Sequence, residues 1–321
     1  MSLGAGAAWI AAAAVPVQAR SWDGLGQGLT DTEVTAARRL YAAGQYGRLR
    51  QALPGLLSCA QETADSGPGA AGRAAAVWVL ASQLAVKDAD LPAAAAHAER
   101  AMTAARACGS PALFAAAVRA AATPLRRTGH TSQALHLLAD AHHTLQATPR
   151  SPAVLNAHGM LALTAAYTAA AADQPTTARE FAALAAEHAA HLARLTDAWS
   201  APVRSARLEL SPAQVLLYRI GIERTLGDAD RALACAERLN AAALPTAERR
   251  ARAATDTARA YLAAGDVPAA FAQLQHLEQA APQDARRPSV RALTTTVATR
   301  RPDLPGLTAF ARRTGTTPKP A

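Results

Sequence analysis

Ala258-Arg-Ala-Tyr261-Leu-Ala-Ala-Gly265-Asp-Val-Pro-Ala-Ala270-Phe-Ala-Gln-Leu274-Gln-His-Leu277 predicts two helices joined by a tight turn. Gly265 supplies the positive φ at which the first helix ends, because glycine has no Cβ to clash there. Asp266 and Pro268 follow directly, and both favour the first positions of a new helix. Small residues such as Ala258 and Ala270 allow the two helices to approach closely. The stretch is typical of a helical hairpin.

The composition indicates that helices extend far beyond this hairpin. Of the 321 residues, 90 are Ala and 37 are Leu, and aromatic residues make up only 4%. Ala and Leu are among the best helix formers, whereas a β-sandwich or barrel needs β-branched and aromatic residues to pack its sheets. We therefore expect an all-α protein and exclude an all-β one.

The same helix–turn–helix unit recurs along the chain. Its turn residue is small or polar and is followed by residues that start a helix. The equivalent turn positions are Gly44, Ala89, Gly129, Asp173, Gly227 and Gly265, at spacings of 45, 40, 44, 54 and 38 residues. Residues 196–210, which include Trp199, interrupt the helical pattern and account for the longest spacing. The pattern predicts six helical hairpins.

The last unit resembles the tetratricopeptide repeat (TPR), with Ala258, Tyr261, Gly265 and Ala270 in place and Pro282 at its end. The other units keep the small residues and the turn, but they lose the Tyr and exceed the usual length of about 34 residues. The resemblance implies a right-handed α-solenoid of six to seven TPR-like hairpins. We assign residues 1–29 to an apolar N-terminal segment or linker, 30–300 to the solenoid, and 301–321 to a helix remnant and disordered tail.

A second resemblance concerns the region from Ser211 onward, with Leu-Ser-Pro-Ala-Gln-Val, Leu244-Pro-Thr-Ala-Glu-Arg-Arg-Ala-Arg and Ala281-Pro-Gln-Asp-Ala-Arg-Arg-Pro-Ser-Val. This region is similar to the TPR-like sensor half of actinomycete Xre-type helix-turn-helix transcriptional regulators, and the match runs from about Thr30 to Arg300. It implies a role in the regulation of gene expression. Those regulators begin with a DNA-binding domain, which this sequence lacks. The alternative is a complete DNA-binding regulator whose helix-turn-helix is missing from this start site.

The N-terminus and the cysteines bear on localisation. Leu3 to Val17 form an apolar run of the length found in signal peptides, but no Lys or Arg precedes it. The run is a linker, a truncated start or a signal peptide, and we see no other segment suited to span a membrane. Cys59, Cys108 and Cys235 are far apart, which suggests small buried residues in a reducing compartment. We expect a soluble, cytoplasmic protein.

No catalytic or metal motif emerges. Glu187-His188-x-x-His191 differs from the zinc-protease motif, whose histidines lie four residues apart. His136, Asp140 and His143 share one helical stripe but have no fourth ligand nearby in the sequence. We expect both groups to lie on solvated helix faces. The sequence predicts a non-enzymatic protein without a cofactor, and an enzyme accessory protein is the weaker alternative.

The net charge of +9 favours an acidic partner. Because 31 of the 33 basic residues are Arg and they are spread over nearly every helix, part of this charge reflects codon bias, and direct binding to nucleic acid is not expected. By the TPR resemblance, defined positions of each first helix face a concave groove. These positions hold polar, aromatic and cationic residues and no carboxylates: Arg38, Tyr41, Gln83, Lys87, Arg119, Thr123, Arg126, Arg127, Met160, Tyr167, Gln214, Arg224, Arg252 and Arg259.

Arginine pairs with carboxylates through two parallel hydrogen bonds and stacks on flat groups. Such a groove is suited to a peptide or protein with an acidic group or a free C-terminus, or to a small anionic ligand. The sequence therefore predicts a peptide-binding or protein-binding sensor in transcriptional regulation.

Overall fold

The computed structural model describes residues 28–198 and 208–316, and in these ranges the regular structure is entirely helical. The all-α prediction is confirmed. The helices are α1 Asp31–Ala42, α2 Tyr46–Thr63, α3 Pro68–Asp88, α4 Leu91–Cys108, α5 Pro111–Arg127, α6 Thr131–Gln146, α7 Pro152–Ala171, α8 Pro175–Ala198, α9 Pro212–Thr225, α10 Ala229–Arg238, α11 Ala247–Ala263, α12 Val267–Ala280, α13 Pro282–Ala285, α14 Pro288–Arg300 and α15 Leu307–Thr314.

The turns between paired helices lie where the sequence pattern placed them. All six equivalent turn residues have a positive φ, including Ala89 at 65° and Asp173 at 55°. Among the described residues, these two are the non-glycine residues with positive φ. The next helix often begins with a side-chain cap, as at Asp228 and Asp266, whose carboxylates accept hydrogen bonds from the backbone three residues on. The conformation of the turn residue therefore recurs from unit to unit, as the repeat in the sequence predicts.

The helices pack in two layers. Six inner helices, α1, α3, α5, α7, α9 and α11, each pack against the helix that follows them in the chain. Successive inner helices also contact one another, from α1·α3 through to α9·α11. Alanines such as Ala74, Ala117 and Ala165 are fully or almost fully buried between the layers, and their small size lets the helices approach closely.

The row of inner helices closes on itself, because α1 also contacts α11. Tyr46 Oη, at the start of α2, donates a hydrogen bond to Asp284 Oδ2 at 2.7 Å, and the Gly47 amide donates to Gln283 Oε1 at 2.8 Å. Lys87 Nζ, at the end of α3, donates to Glu248 at 2.8 Å and to Asp284 at 3.1 Å. These contacts join the first two hairpins to the last one, so that the described helices form a ring.

The C-terminal helices extend the packed structure beyond Arg300, where the solenoid was expected to end. Helix α14 packs against α11 and α12, and α15 packs against α14. Phe310 is fully buried, and its ring lies 5.5 Å from that of Phe271. Residues 301–316 therefore contain a docked helix, while the rest of the expected tail lies outside the described residues, as do residues 1–27 and Trp199.

One described helix, α3, is long and apolar enough to cross a membrane by length and composition, although we expected none. In its most apolar stretch of 18 residues, 72% is buried inside the protein. This burial accounts for its apolar composition, because α3 packs against helices on several sides. Cys59 and Cys235 are buried as expected, whereas Cys108 is half-buried.

Candidate functional site

The ring of inner helices surrounds a cavity of about 2720 Å³, lined by residues of all six inner helices, of adjoining loops, and of α2, α12 and the start of α14. Small-molecule pockets usually measure about 300–1,000 Å³. The cavity is therefore large enough for a peptide segment and larger than an ordinary metabolite needs. We call the residues that line it the cavity wall.

Twelve of the fourteen residues predicted to face a concave groove lie on the cavity wall. They are Arg38, Tyr41, Gln83, Lys87, Arg119, Thr123, Arg126, Arg127, Tyr167, Gln214, Arg252 and Arg259. Met160 and Arg224 do not line it: Met160 is fully buried in the core, and Arg224 Nη2 donates to Thr225 Oγ1 at 2.8 Å. The structure thus brings together residues that are up to 221 positions apart in the sequence.

Two tyrosine–arginine stacks stand on the wall. The guanidinium of Arg126 lies 4.8 Å from the centre of the Tyr167 ring, and that of Arg252 lies 4.1 Å from the centre of the Tyr218 ring. The Tyr167 ring fits because residue 221 is glycine: a Cβ there would lie 2.5 Å from Tyr167 Cε2. These stacks hold two guanidinium groups in defined positions.

Tyr218 was missed by the sequence analysis, although it follows the predicted wall residue Gln214 by one helical turn on α9. Burial by itself would raise the pKa of its phenol, but the positive charges of Arg252, Arg119 and Arg249 lower it to about 7. A phenol of this kind marks a strongly positive part of the cavity.

The cavity wall also contains carboxylates, which come from positions that the sequence analysis did not assign to the groove. Glu209 lies 3.5 Å from both Arg119 and Arg249, and Asp256 lies 3.0 Å from Arg259. Glu209 precedes α9 in a loop, so a count of positions along the helices could not find it. Partial loss of hydration would raise the pKa of Glu209, whose side chain is 51% exposed, but Arg119, Arg249 and Arg38 together lower it.

Lys87 lies on the wall but is committed to the closure of the ring. Only 7% of it is exposed, and it contacts Glu248 and Asp284 as well as the rings of Tyr41 and Tyr46. The sequence analysis predicted that Lys87 binds a ligand. In the structure, Glu248 and Asp284 already neutralise its ammonium group.

Arg126 and Arg127, at the end of α5, have no carboxylate partner among the described residues. Arg126 Nη1 donates to Thr168 Oγ1 at 3.1 Å, and Arg127 Nη1 donates to the Val86 carbonyl at 3.2 Å. Burial and the neighbouring arginines lower the pKa of both side chains. Two adjacent positive charges thus face the cavity with neutral partners only.

A chain of three histidines lies apart from the cavity wall, between α6, α7 and α8. His142 Nδ1 and His158 Nε2 are 2.6 Å apart, and His158 Nδ1 and His188 Nε2 are 3.1 Å apart. The nitrogen atoms on opposite sides of the His158 ring make these two contacts, so they do not converge on one point. In the described ranges, no group of three or more His, Cys, Asp or Glu residues is placed to hold a metal ion.

The histidine groups examined in the sequence lie mainly in solvent. His136, Asp140, His143, Glu187 and His191 are exposed, as expected for solvated helix faces. His188 is the exception, because it is half-buried against His158.

No protein-family model matches the chain, and no curated protein sequence matches it significantly.

Proposed function

We propose that the chain is a right-handed TPR-like α-solenoid of six hairpins, closed into a ring, that binds an acidic peptide or protein segment without catalysis. The recurrence of one turn geometry at six equivalent positions supports the repeat architecture. By its resemblance to the sensor half of Xre-type regulators, we assign it a role in the regulation of gene expression, in the cytoplasm.

The observation that carries this proposal is the charge of the cavity wall. Twelve Lys and Arg side chains line it, against four Asp and Glu side chains. A concave surface of one charge sign concentrates ligands of the opposite sign and speeds their association. The volume of the cavity favours an extended peptide over a small metabolite.

A direct test is fluorescence anisotropy with a labelled decapeptide of glutamate, beside decapeptides of lysine and of serine. We expect binding of the glutamate peptide alone, weakening as salt rises, because exposed charges are screened over about 8–10 Å at physiological ionic strength. Binding of all three peptides, or of none, would overturn the proposal.

The location of binding is tested by the variant with Arg119→Ala and Arg126→Ala. Each lost charge-assisted contact weakens binding by roughly 1.5–3 kcal/mol. Arg312→Ala with Arg313→Ala is the control outside the cavity, since Arg313 pairs with Glu278 on the surface of the C-terminal helices. If the control loses affinity and the cavity variant retains it, the binding surface lies elsewhere.

A further inference from the structure

The positive charges on the cavity wall fall into two groups. Three of the four wall arginines on α11 are matched by carboxylates: Arg249 by Glu209 and Glu248, and Arg252 and Arg259 by Asp256. The fourth, Arg250, donates to the Leu244 carbonyl. At the end of α5, Arg126 and Arg127 contact only a hydroxyl and a backbone carbonyl. At the end of α5, therefore, two consecutive arginines of the wall are held by other contacts but have no carboxylate partner among the described residues.

Such an arrangement is costly in the empty protein. Charges that leave water lose hydration, and like charges raise the cost further unless an opposite charge approaches. Arg126 is half-buried and Arg127 beside it is exposed, and further positive charge from Arg252, Arg259 and Arg287 acts on them. An anion at this place would remove a penalty that the described side chains leave uncorrected.

The two guanidinium groups are also held in position. The Tyr167 ring lies under Arg126 while Thr168 accepts one of its hydrogen bonds, and the Val86 carbonyl fixes one nitrogen of Arg127. Each guanidinium carries five N–H donors, so most of them stay available to a ligand. Donors that are already in place lose less conformational freedom on binding.

We propose that Arg126 and Arg127 form a subsite for a doubly charged anionic group of the bound segment. This inference rests on the proposed function and specifies which chemical group of the bound segment the subsite recognises. A single carboxylate neutralises one guanidinium and leaves the other, whereas a dianion neutralises both. Two chemical sources share this property: a phosphate monoester and a pair of adjacent carboxylates.

The test measures competition against the labelled glutamate decapeptide by inorganic phosphate, by phosphoserine, by an aspartyl-aspartate dipeptide capped at both ends, and by acetate. In the wild-type protein we expect the dianions to compete at least about tenfold better than acetate. A preference for phosphate and phosphoserine identifies a phosphate monoester as the source, and a preference for the dipeptide identifies paired carboxylates.

The matched variants are Arg126→Gln with Arg127→Gln, and Arg38→Gln with Arg39→Gln. Arg38 and Arg39 are also adjacent arginines on the cavity wall, but both lie exposed on α1, whereas Arg126 is half-buried and stacks on Tyr167. We expect the first variant to lose at least about tenfold in competition by the dianions, and the second to change less than about twofold. Equal losses in both variants, or equal competition by acetate and dianions, would overturn the subsite.

Circular dichroism of each variant checks that it folds. If the double variant does not fold, the single variants Arg126→Gln and Arg127→Gln replace it, and each is expected to abolish the preference for dianions over acetate. If the wild-type protein does not bind the decapeptide, direct calorimetry with phosphate tests the subsite alone. In that case the proposal that the protein binds a peptide fails. The subsite is supported if phosphate binding is lost in the Arg126 and Arg127 variants, and it is contradicted if phosphate binding is unchanged in them.

Discussion

Ala89 is the residue at which the repeat imposes a conformation that its own side chain disfavours. It ends α3 with φ 65° and ψ 17°, a left-handed conformation in which Cβ crowds the following carbonyl. In the equivalent turns at Gly129 and Gly227, glycine adopts the same conformation without this cost. The turn is maintained at Ala89 because α3 and α4 pack against each other on both sides of it.

Ala89→Gly is therefore expected to stabilise the protein. Relief of the left-handed conformation exceeds the extra freedom that glycine gives the unfolded chain, and the net gain is roughly 0.5–1 kcal/mol. Ala85→Gly, one turn earlier inside α3, should instead cost about 1 kcal/mol. Urea denaturation measures both, and a loss of stability in Ala89→Gly would contradict the assignment.

At the scale of helices, the chain of histidines joins α6, α7 and α8 through groups that must stay largely neutral. Burial, together with His142 and His188, lowers the pKa of His158 to about 4, from 6.5 in an unfolded chain. Burial also lowers the pKa of His142 and of His188. Between these pH values the unfolded chain binds a proton at His158 and the folded protein does not, so stability falls as the pH falls.

We expect the free energy of unfolding to decrease between pH 6.5 and 4, by up to roughly 3 kcal/mol from His158. In His158→Gln the decrease should be smaller, because this position no longer takes up a proton on unfolding. His136→Gln, at an exposed position on α6, is the control and should retain the wild-type slope. Urea denaturation across this pH range measures the slopes, and identical slopes in all three proteins would contradict the role of His158.

How far the sequence predicted the structure depends on the distance between the residues involved. The turns were predicted even at Ala89 and Asp173, because the residues that end one helix and start the next are neighbours in the chain. The residues of the cavity wall on the inner helices were predicted because positions on the same face of a helix recur at a regular spacing along the chain. Glu209 was missed, since its pairing with Arg119 and Arg249 depends on how a loop is placed against two other helices.

The closure of the whole molecule was not predicted, since its partners have no relation in the sequence. Tyr46 and Asp284 are 238 residues apart, and Lys87 and Glu248 are 161 apart. No periodic pattern links such positions, and only the accumulated curvature of all the hairpins brings them together. The sequence therefore identified Lys87 as facing inward without showing that it joins the two ends.

At this scale Lys87→Met is expected to destabilise the protein by about 3–5 kcal/mol, because it leaves buried carboxylates without their main partner. It should also increase the radius of gyration measured by small-angle X-ray scattering, because the contact between the second hairpin and the last one is weakened. Arg50→Met is the control: Arg50 pairs with Asp88, next to Lys87 in the chain, but on the surface. Its loss should cost less than about 1 kcal/mol, and equal effects of the two variants would contradict a closing role for Lys87.

Closure also couples the two ends of the repeat array during unfolding. In an open solenoid each repeat contacts only its neighbours, which spreads unfolding over the array. Here, fraying of the first hairpin breaks the hydrogen bonds from Tyr46 and Gly47, and fraying of the last hairpin also breaks the buried ion pair between Lys87 and Glu248. We expect Lys87→Met to broaden the thermal unfolding transition relative to the wild-type protein, and calorimetry measures this width.

The contact between α1 and α11 has a topological consequence for any chain that lies in the cavity. Because the wall is continuous around its circumference, it surrounds a peptide segment that lies in the cavity on all sides. Escape then takes one of two routes: lengthwise withdrawal of a free end, or separation of the two ends of the ring. The residence time of such a segment depends on the size of the folded domains or groups at its two ends as well as on the strength of its contacts with the wall.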